Sequence, residues 1–225
     1  MTFSILGHCP RTQMFGMAVS SSSPAVAARC AHVRAGIGAV ATQNITDPRL
    51  GPKGLDLLAE GLGAEQALES LKSFAPHVEY RQLAIVDREG GSAAFSGERT
   101  LGIHAVALAE HAAAAGNLLA NEDVPKSMLA RFMAEETLEL GDRLMAGLQA
   151  GLEAGGEAGP THSAGLIMVR DVAWPVADLR VDWDEHNPIG ALAALWLRWK
   201  PQMQDYVARA LDPGRAPSYG VPGDR

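Results

Sequence analysis

Apolar positions in this chain recur in two rhythms, one of period two and one of period three to four. Residues 3–7 (FSILG) and 13–20 (QMFGMAVS) are short apolar runs of strand formers joined by HCPRT, whose Cys9-Pro10 step breaks the pattern, and this predicts an opening antiparallel hairpin. The run GIGAVATQ (36–43) is almost continuously apolar and predicts a strand covered on both faces. Leu55, Leu58 and Leu62, then Ala67, Leu68, Leu71 and Phe74, fall at helical steps on either side of Gly61 and Gly63 and predict a helical hairpin. QLAIVD (82–87) and SAAFS (92–96) flank REGG and predict a second strand pair around a Gly-Gly turn.

The second half repeats this alternation of layers without repeating any sequence unit. Pro125, two residues after Asp123, marks a helix start carried by Met128, Leu129, Phe132 and Met133. A further helix runs through Leu144, Met145, Leu148 and Leu152 until GGEAGP ends it. SAGLIMV (163–169) and DLRVDW (178–183) supply two more strands. Ile189, Leu192, Trp196, Trp199, Met203, Tyr206 and Ala210 then form a helical stripe in which Pro201 starts a second segment. Six or seven strands in hairpin-like pairs, with helices clustered between them, predict an α+β protein: two antiparallel sheets packed face to face with helices outside, a four-layer αββα sandwich. The expected organisation is one domain over residues 1–211 and an irregular tail over 212–225.

Composition narrows the functional classes. With 225 residues, 47% hydrophobic and 20% charged, the chain has an ordinary globular balance. Its 19 Lys and Arg against 26 Asp and Glu give a net charge of −7, which argues against nucleic acid and against an anionic membrane surface as partners. Cys9 and Cys30 match no metal spacing, and their small number fits a reducing compartment. No apolar run reaches membrane-spanning length and the start lacks a secretory pattern, so the expected location is the cytoplasm.

The segments MTFSI, GAVATQN (38–44), GPKGLDLL (51–58), YRQLAIVD (80–87), AAGNLLA (114–120), EAGGEAGPTHSAGL (153–166) and DLRVD (178–182) together resemble the bacterial domain-of-unknown-function family 1028. The layered architecture, with Thr2 on its first strand, resembles the N-terminal nucleophile (Ntn) hydrolase fold. That likeness implies a hydrolase in which Thr2 becomes the amino terminus once Met1 is removed. The pattern also implies a lysine after the second strand, where this chain reads SSSS (20–23).

The chemistry is arguable from the residues as well. A threonine hydroxyl is a weak nucleophile unless a base takes its proton, and a free α-amine on the same residue, with an ordinary pKa of about 7.7–8.0, is within reach. A small residue after the initiator methionine permits the processing that would free it. The remaining requirement is donors for an oxyanion and for the amide. Strand alternation and turn positions nominate Ser21 or Ser22 at the end of the second strand, Gln43 and Asn44 at the end of the third, and Asn117 after Gly116. Serines at strand ends also simply satisfy backbone groups, and Asn after Gly also simply makes a turn. The expected activity is cleavage of a small-molecule amide (a non-peptide C–N bond) through Thr2, without cofactor or metal. The rival readings are a binding or structural protein on the same fold, and catalysis through Ser163 or Cys9.

Other clusters carry less. Asp182, Asp184, Glu185 and His186 precede an Asn-Pro step and read as a solvated loop and helix cap. His104 and His111 have nothing near them in sequence to complete a zinc set, and GPTHSAG around His162 and Ser163 is not a GxSxG elbow. The tryptophans of the last helical stripe suit packing on the sheets or contact with a second copy, and a homodimer is the expected assembly.

Overall fold

The computed structural model describes residues 1–221; the last positions of the expected irregular tail, 222–225, lie outside them. In chain order the elements begin with β1 (Thr2–Cys9), β2 (Met14–Ser21), a single helical turn α1 (Ala27–Cys30), β3 (Ala31–Arg34) and β4 (Gly38–Asn44). They continue with α2 (Leu50–Ala59), α3 (Ala64–Phe74), β5 (Arg81–Asp87), β6 (Ser92–Ser96), β7 (Ala105–Ala109) and β8 (Ala112–Asn117). The remainder is α4 (Val124–Ala134), α5 (Leu140–Glu153), β9 (Ser163–Val169), β10 (Ala177–Val181), α6 (Pro188–Trp199) and α7 (Met203–Leu211). Pro201 lies in a 3-10 turn (Lys200–Gln202) between the last two helices, because its ring and missing N–H interrupt the α-helical ladder.

Two antiparallel sheets result. The larger has the order β10-β9-β2-β1-β8-β7 and the smaller β3-β4-β5-β6. Strand β1 is central: it pairs with β2 in the register Phe3↔Ser20 and with β8 in the register Thr2↔Asn117. All eight of its residues are buried, so its alternation sorts side chains between two interiors. Phe3 and Ile5 point outward into a core shared with Met128 and Phe132 of α4, Leu144 and Leu148 of α5, and Leu192 and Trp196 of α6. Leu6 points inward, between the sheets, with Met17, Val19, Ala39, Ala41, Ala84, Ala113 and Ala115. On the far side Val40, Leu83 and Ile85 of the smaller sheet receive Leu50, Leu55 and Leu58 of α2 and Leu68 and Leu71 of α3. The αββα sandwich expected from the sequence is therefore the observed architecture. Gly7, in the middle of β1, is required by α4, since a Cβ there would come within 2.5 Å of the Phe132 ring.

The expected strands and helices are present, with three strands added. β3, β7 and β8 are absent from the sequence-based expectation, and β8 is the one that matters, because it flanks β1. Its sequence, AAAAGN, is rich in the best helix former and carries no period. Pairing to β1 on one side and β7 on the other overrides that local preference. His111 sits with positive φ in the turn between β7 and β8. Among the described residues no helix is long and apolar enough to cross a membrane.

The layer between the sheets is built largely from alanine, which lets the two backbones approach closely and leaves no room for longer side chains. Replacing fully buried Ala84 by Leu therefore lowers stability by about 1–3 kcal/mol in urea unfolding, whereas the same change at exposed Ala59 on α2 stays within about 0.5 kcal/mol.

Candidate functional site

Thr2 occupies the head of β1, where the inward alternation of Leu6 and Ser4 places its hydroxyl between the sheets. The register with β2 brings Ser21 directly beside it: Thr2 Oγ1 lies 3.4 Å from Ser21 Oγ. Both hydroxyls donate to the Met1 carbonyl, so the first residue covers the pair and leaves Thr2 only 5% exposed. Ser21 Oγ also accepts the Ser23 N–H at 3.0 Å. Ser22 lies past the strand end with its N–H donated to Glu157, and Ser20 faces the opposite way, giving its hydroxyl proton to the Ser163 carbonyl.

Behind Thr2 the two sheets are tied by a chain of buried amides. Ser4 Oγ donates to Gln43 Oε1 (2.7 Å), Gln43 Nε2 donates to Gln82 Oε1 (2.8 Å), and Asn117 Nδ2 donates to the same oxygen (3.0 Å). Gln82 Nε2 in turn donates to Ser96 Oγ and to the Gly116 carbonyl, both at 2.9 Å. The carbonyl can only accept, which fixes the orientation of Gln82, and that orientation compels both neighbouring amides to turn their nitrogens toward it. Asn117 Oδ1 is left buried without a hydrogen-bond partner, in the residue paired across from Thr2. A buried acceptor in that state is costly unless a donor arrives.

Glu157 completes the group. Its backbone bridges Leu119, just past β8, and its carboxylate accepts the Ser22 N–H at 3.1 and 3.2 Å. Burial pushes its pKa up to about 7, against the opposing pull of the chain's amino terminus and of the Ser22 hydrogen bonds. A carboxyl that titrates near neutrality beside an amine and two hydroxyls can hold or release a proton where Thr2 chemistry would need one. Sequence reasoning missed both Glu157 and Gln82. The one local sign of Glu157 is an acid that follows Gly155-Gly156 and precedes Gly159-Pro160 by one residue, and Gln82 reads only as the polar start of a strand.

The structure thus brings Ser21 and Asn117 to Thr2, reaches Gln43 through the amide chain, and turns the Ser22 N–H to Glu157. It does not bring Asn44. Alternation along β4 points that residue away from the inter-sheet layer, and its positive φ and its bonds to the Tyr80 carbonyl and the Leu101 N–H make it a corner brace. Ser163 Oγ is spent on the Ser23 carbonyl (2.6 Å), and His162 is stacked on Trp183 at 4.4 Å between ring centroids. Asp184 accepts the N–H groups of His186 and Asn187, and Asn187 caps α6 through Gly190, so that acidic segment shapes a helix entry. Burial pushes the Cys30 thiol up, whereas Cys9 lies at the opposite end of β1 from Thr2.

Comparison with known proteins matches residues 2–192 to a family of unknown function (DUF1028). The crystal structure of protein SPO2555 from Silicibacter pomeroyi, a DUF1028 protein, is similar over 91% of this chain and 89% of that chain, with a TM-score of 0.83 and 31% sequence identity. Anbu (ancestral beta-subunit) from Yersinia bercovieri aligns over 91% of this chain and 97% of that chain with a TM-score of 0.38 and 10% identity, a level at which no likeness is drawn. Among curated proteins none matches.

The raised Glu157 pKa has a definite sign in stability. Its folded value of about 7 lies above the ordinary 4.5, so its favourable contribution is present below pH 4.5 and is lost as pH rises through 7. Glu157→Gln removes that loss. In urea unfolding the stability difference between variant and wild type moves in favour of glutamine by on the order of 1–3 kcal/mol between about pH 5 and about pH 7.5. Taking the difference cancels the opposite trend from His8, whose pKa burial and the His111 charge lower to about 4.

Proposed function

This chain belongs to the DUF1028 family, and we propose that it is an amidohydrolase of the N-terminal nucleophile type in which Thr2, freed by loss of Met1, attacks the carbonyl of a small amide. The observation that carries this reading is the convergence of the Thr2 and Ser21 hydroxyls on the Met1 carbonyl. Two hydroxyls held on one carbonyl oxygen mark where a substrate carbonyl would sit once the methionine has gone.

The steps follow from the groups present. Removal of Met1 leaves a space in front of Thr2 and a free α-amine beside Glu157. An α-amine of ordinary pKa, about 7.7–8.0, is partly neutral near neutrality and needs no histidine to act as the base. The amine takes the Thr2 hydroxyl proton as Oγ1 bonds to the carbonyl carbon. The oxyanion that forms accepts from Ser21 Oγ, a contact of a kind worth about 3 kcal/mol. Collapse breaks the C–N bond, the α-ammonium returns its proton to the departing amine, and water, deprotonated by the same amine, cleaves the ester and releases the acid. Asn117 Oδ1, the acceptor without a partner, suits the N–H of the α-amine or of the substrate amide. Gln43 and Gln82 act through Asn117 as positioning residues.

A second reading, a protein that keeps the fold without turnover, is favoured if Met1 stays, because the retained residue covers Thr2. Intact-mass measurement and labelling with a hydroxyl-directed electrophile separate the two. The amidohydrolase reading expects a mass lacking methionine, label on Thr2, loss of label in Thr2→Ala, and a fall of about tenfold or more in labelling rate for Ser21→Ala. A retained Met1 with an unlabelled Thr2 leaves only the second reading.

A further inference from the structure

At the other end of β1, about 20 Å along the strand from Thr2, a cavity of about 290 Å³ opens between the β1–β2 turn, the β7–β8 turn and the α4–α5 connection. Its wall contains two buried polar groups whose bonding is incomplete. The first is Arg143 on α5, 6% exposed, whose guanidinium lies 4.0 Å over the Phe132 ring and whose Nε donates to the Phe132 carbonyl at 3.2 Å. Its terminal nitrogens make no hydrogen bond, and no carboxylate among the described residues comes within ion-pair distance of it. Burial and the nearby Arg11 pull its pKa below that of an ordinary guanidinium, with Cys9 and Glu136 opposing the fall. The planar fork opens on the cavity with no protein acceptor, and it is the shape that accepts a carboxylate through two parallel hydrogen bonds.

The second group is His8, 1% exposed. Its ring is stacked on Phe15 with centroids 4.3 Å apart, and its Nδ1 is 3.1 Å from His111 Nδ1. Its Nε2 is buried with no partner. The two incomplete groups come from different elements, a strand and a helix, yet line the same void.

We propose that this cavity binds the carboxylate of a small organic molecule, held by the Arg143 fork. The site is separate from Thr2 and does not rest on the amidohydrolase reading. Charge on the wall selects the ligand class: Arg11 and Arg143 are balanced by Glu110 and Glu136, so a singly charged carboxylate is favoured over a dianionic phosphate. Met133 and Pro10 offer apolar surface for the remainder of the molecule. The carboxylate belongs either to a simple organic acid or to an amino acid whose ammonium group meets one of the two glutamates.

Cys9 lines the same cavity and reports on it. Burial pushes its thiol up, but hydrogen bonds with Thr12 and Arg11 together with the Arg11 charge outweigh this, so it titrates below an ordinary cysteine, unlike Cys30. The test alkylates the full chain with iodoacetate, which carries the proposed group, and with neutral iodoacetamide; in both the thiolate displaces iodide and forms one S–C bond. The expected result is a rate ratio of iodoacetate to iodoacetamide at Cys9 about tenfold higher in the folded protein than in the urea-unfolded chain, collapsing to the unfolded ratio in Arg143→Met. In parallel, sodium hexanoate or leucine at about five times its dissociation constant raises the melting temperature by about 2–4 °C over sodium chloride of equal ionic strength. A response to hexanoate alone identifies a simple acid, and a response to leucine identifies an amino acid. If Arg143→Met does not fold, Arg143→Lys keeps the charge and removes the fork; if Cys9 reacts with neither reagent, the melting measurement decides. Equal folded and unfolded ratios, no melting shift with either carboxylate, or a shift with inorganic phosphate alone overturns the proposal.

Discussion

The constraint from which the rest follows is that β1 has no solvent face. A strand flanked by β2 and β8 and covered by helices on one side and a second sheet on the other must find an interior for every side chain it carries. Its apolar members do this by packing. Its polar members, Thr2, Ser4 and His8, have to find partners inside the molecule, since an unpaired buried polar group costs more than a paired one gains. Ser4 is absorbed by the amide chain, and the two residues nearest the ends of the strand lie beside the groups left incomplete. Along β1, unsatisfied atoms therefore lie beside its two ends, at Asn117 Oδ1 and His8 Nε2.

The same constraint explains the amide chain. Alanine on the inner faces brings the sheets together, but close approach alone does not choose how one sheet slides over the other. Gln82 does, because a side chain using both its donors and its acceptor for residues on several strands has one comfortable position. The cost of setting four buried polar side chains in an apolar layer is offset by the precision with which Thr2, Ser21 and Asn117 are then held relative to one another.

Most of the framework was legible because burial on a known face leaves a periodic trace. The runs at 82–87, 92–96 and 163–169 and the helices carried by Met128 and Leu144 could be placed from spacing alone, and the stop at Pro201 from the chemistry of its ring. β8 was not legible. Four alanines carry no period, and their strand conformation comes from neighbours distant in sequence. Of the candidate site, the adjacency of Thr2 and Ser21 was legible, since it depends on strand register. Asn44 was drawn in by its position at a strand end, whereas the parity of β4 turns it outward. Glu157 left almost no trace, because its altered acidity arises from what covers it and not from what precedes or follows it in the chain.

The carbonyl on which Thr2 and Ser21 converge belongs to the residue immediately ahead of the strand, so polypeptide leaving that end of the molecule starts from the face of the two hydroxyls. A purification tag fused there would lie directly over the Thr2 and Ser21 hydroxyls. Any extension at that end keeps the Met1 carbonyl in place over the two hydroxyls. Tags for this protein belong after the last helix.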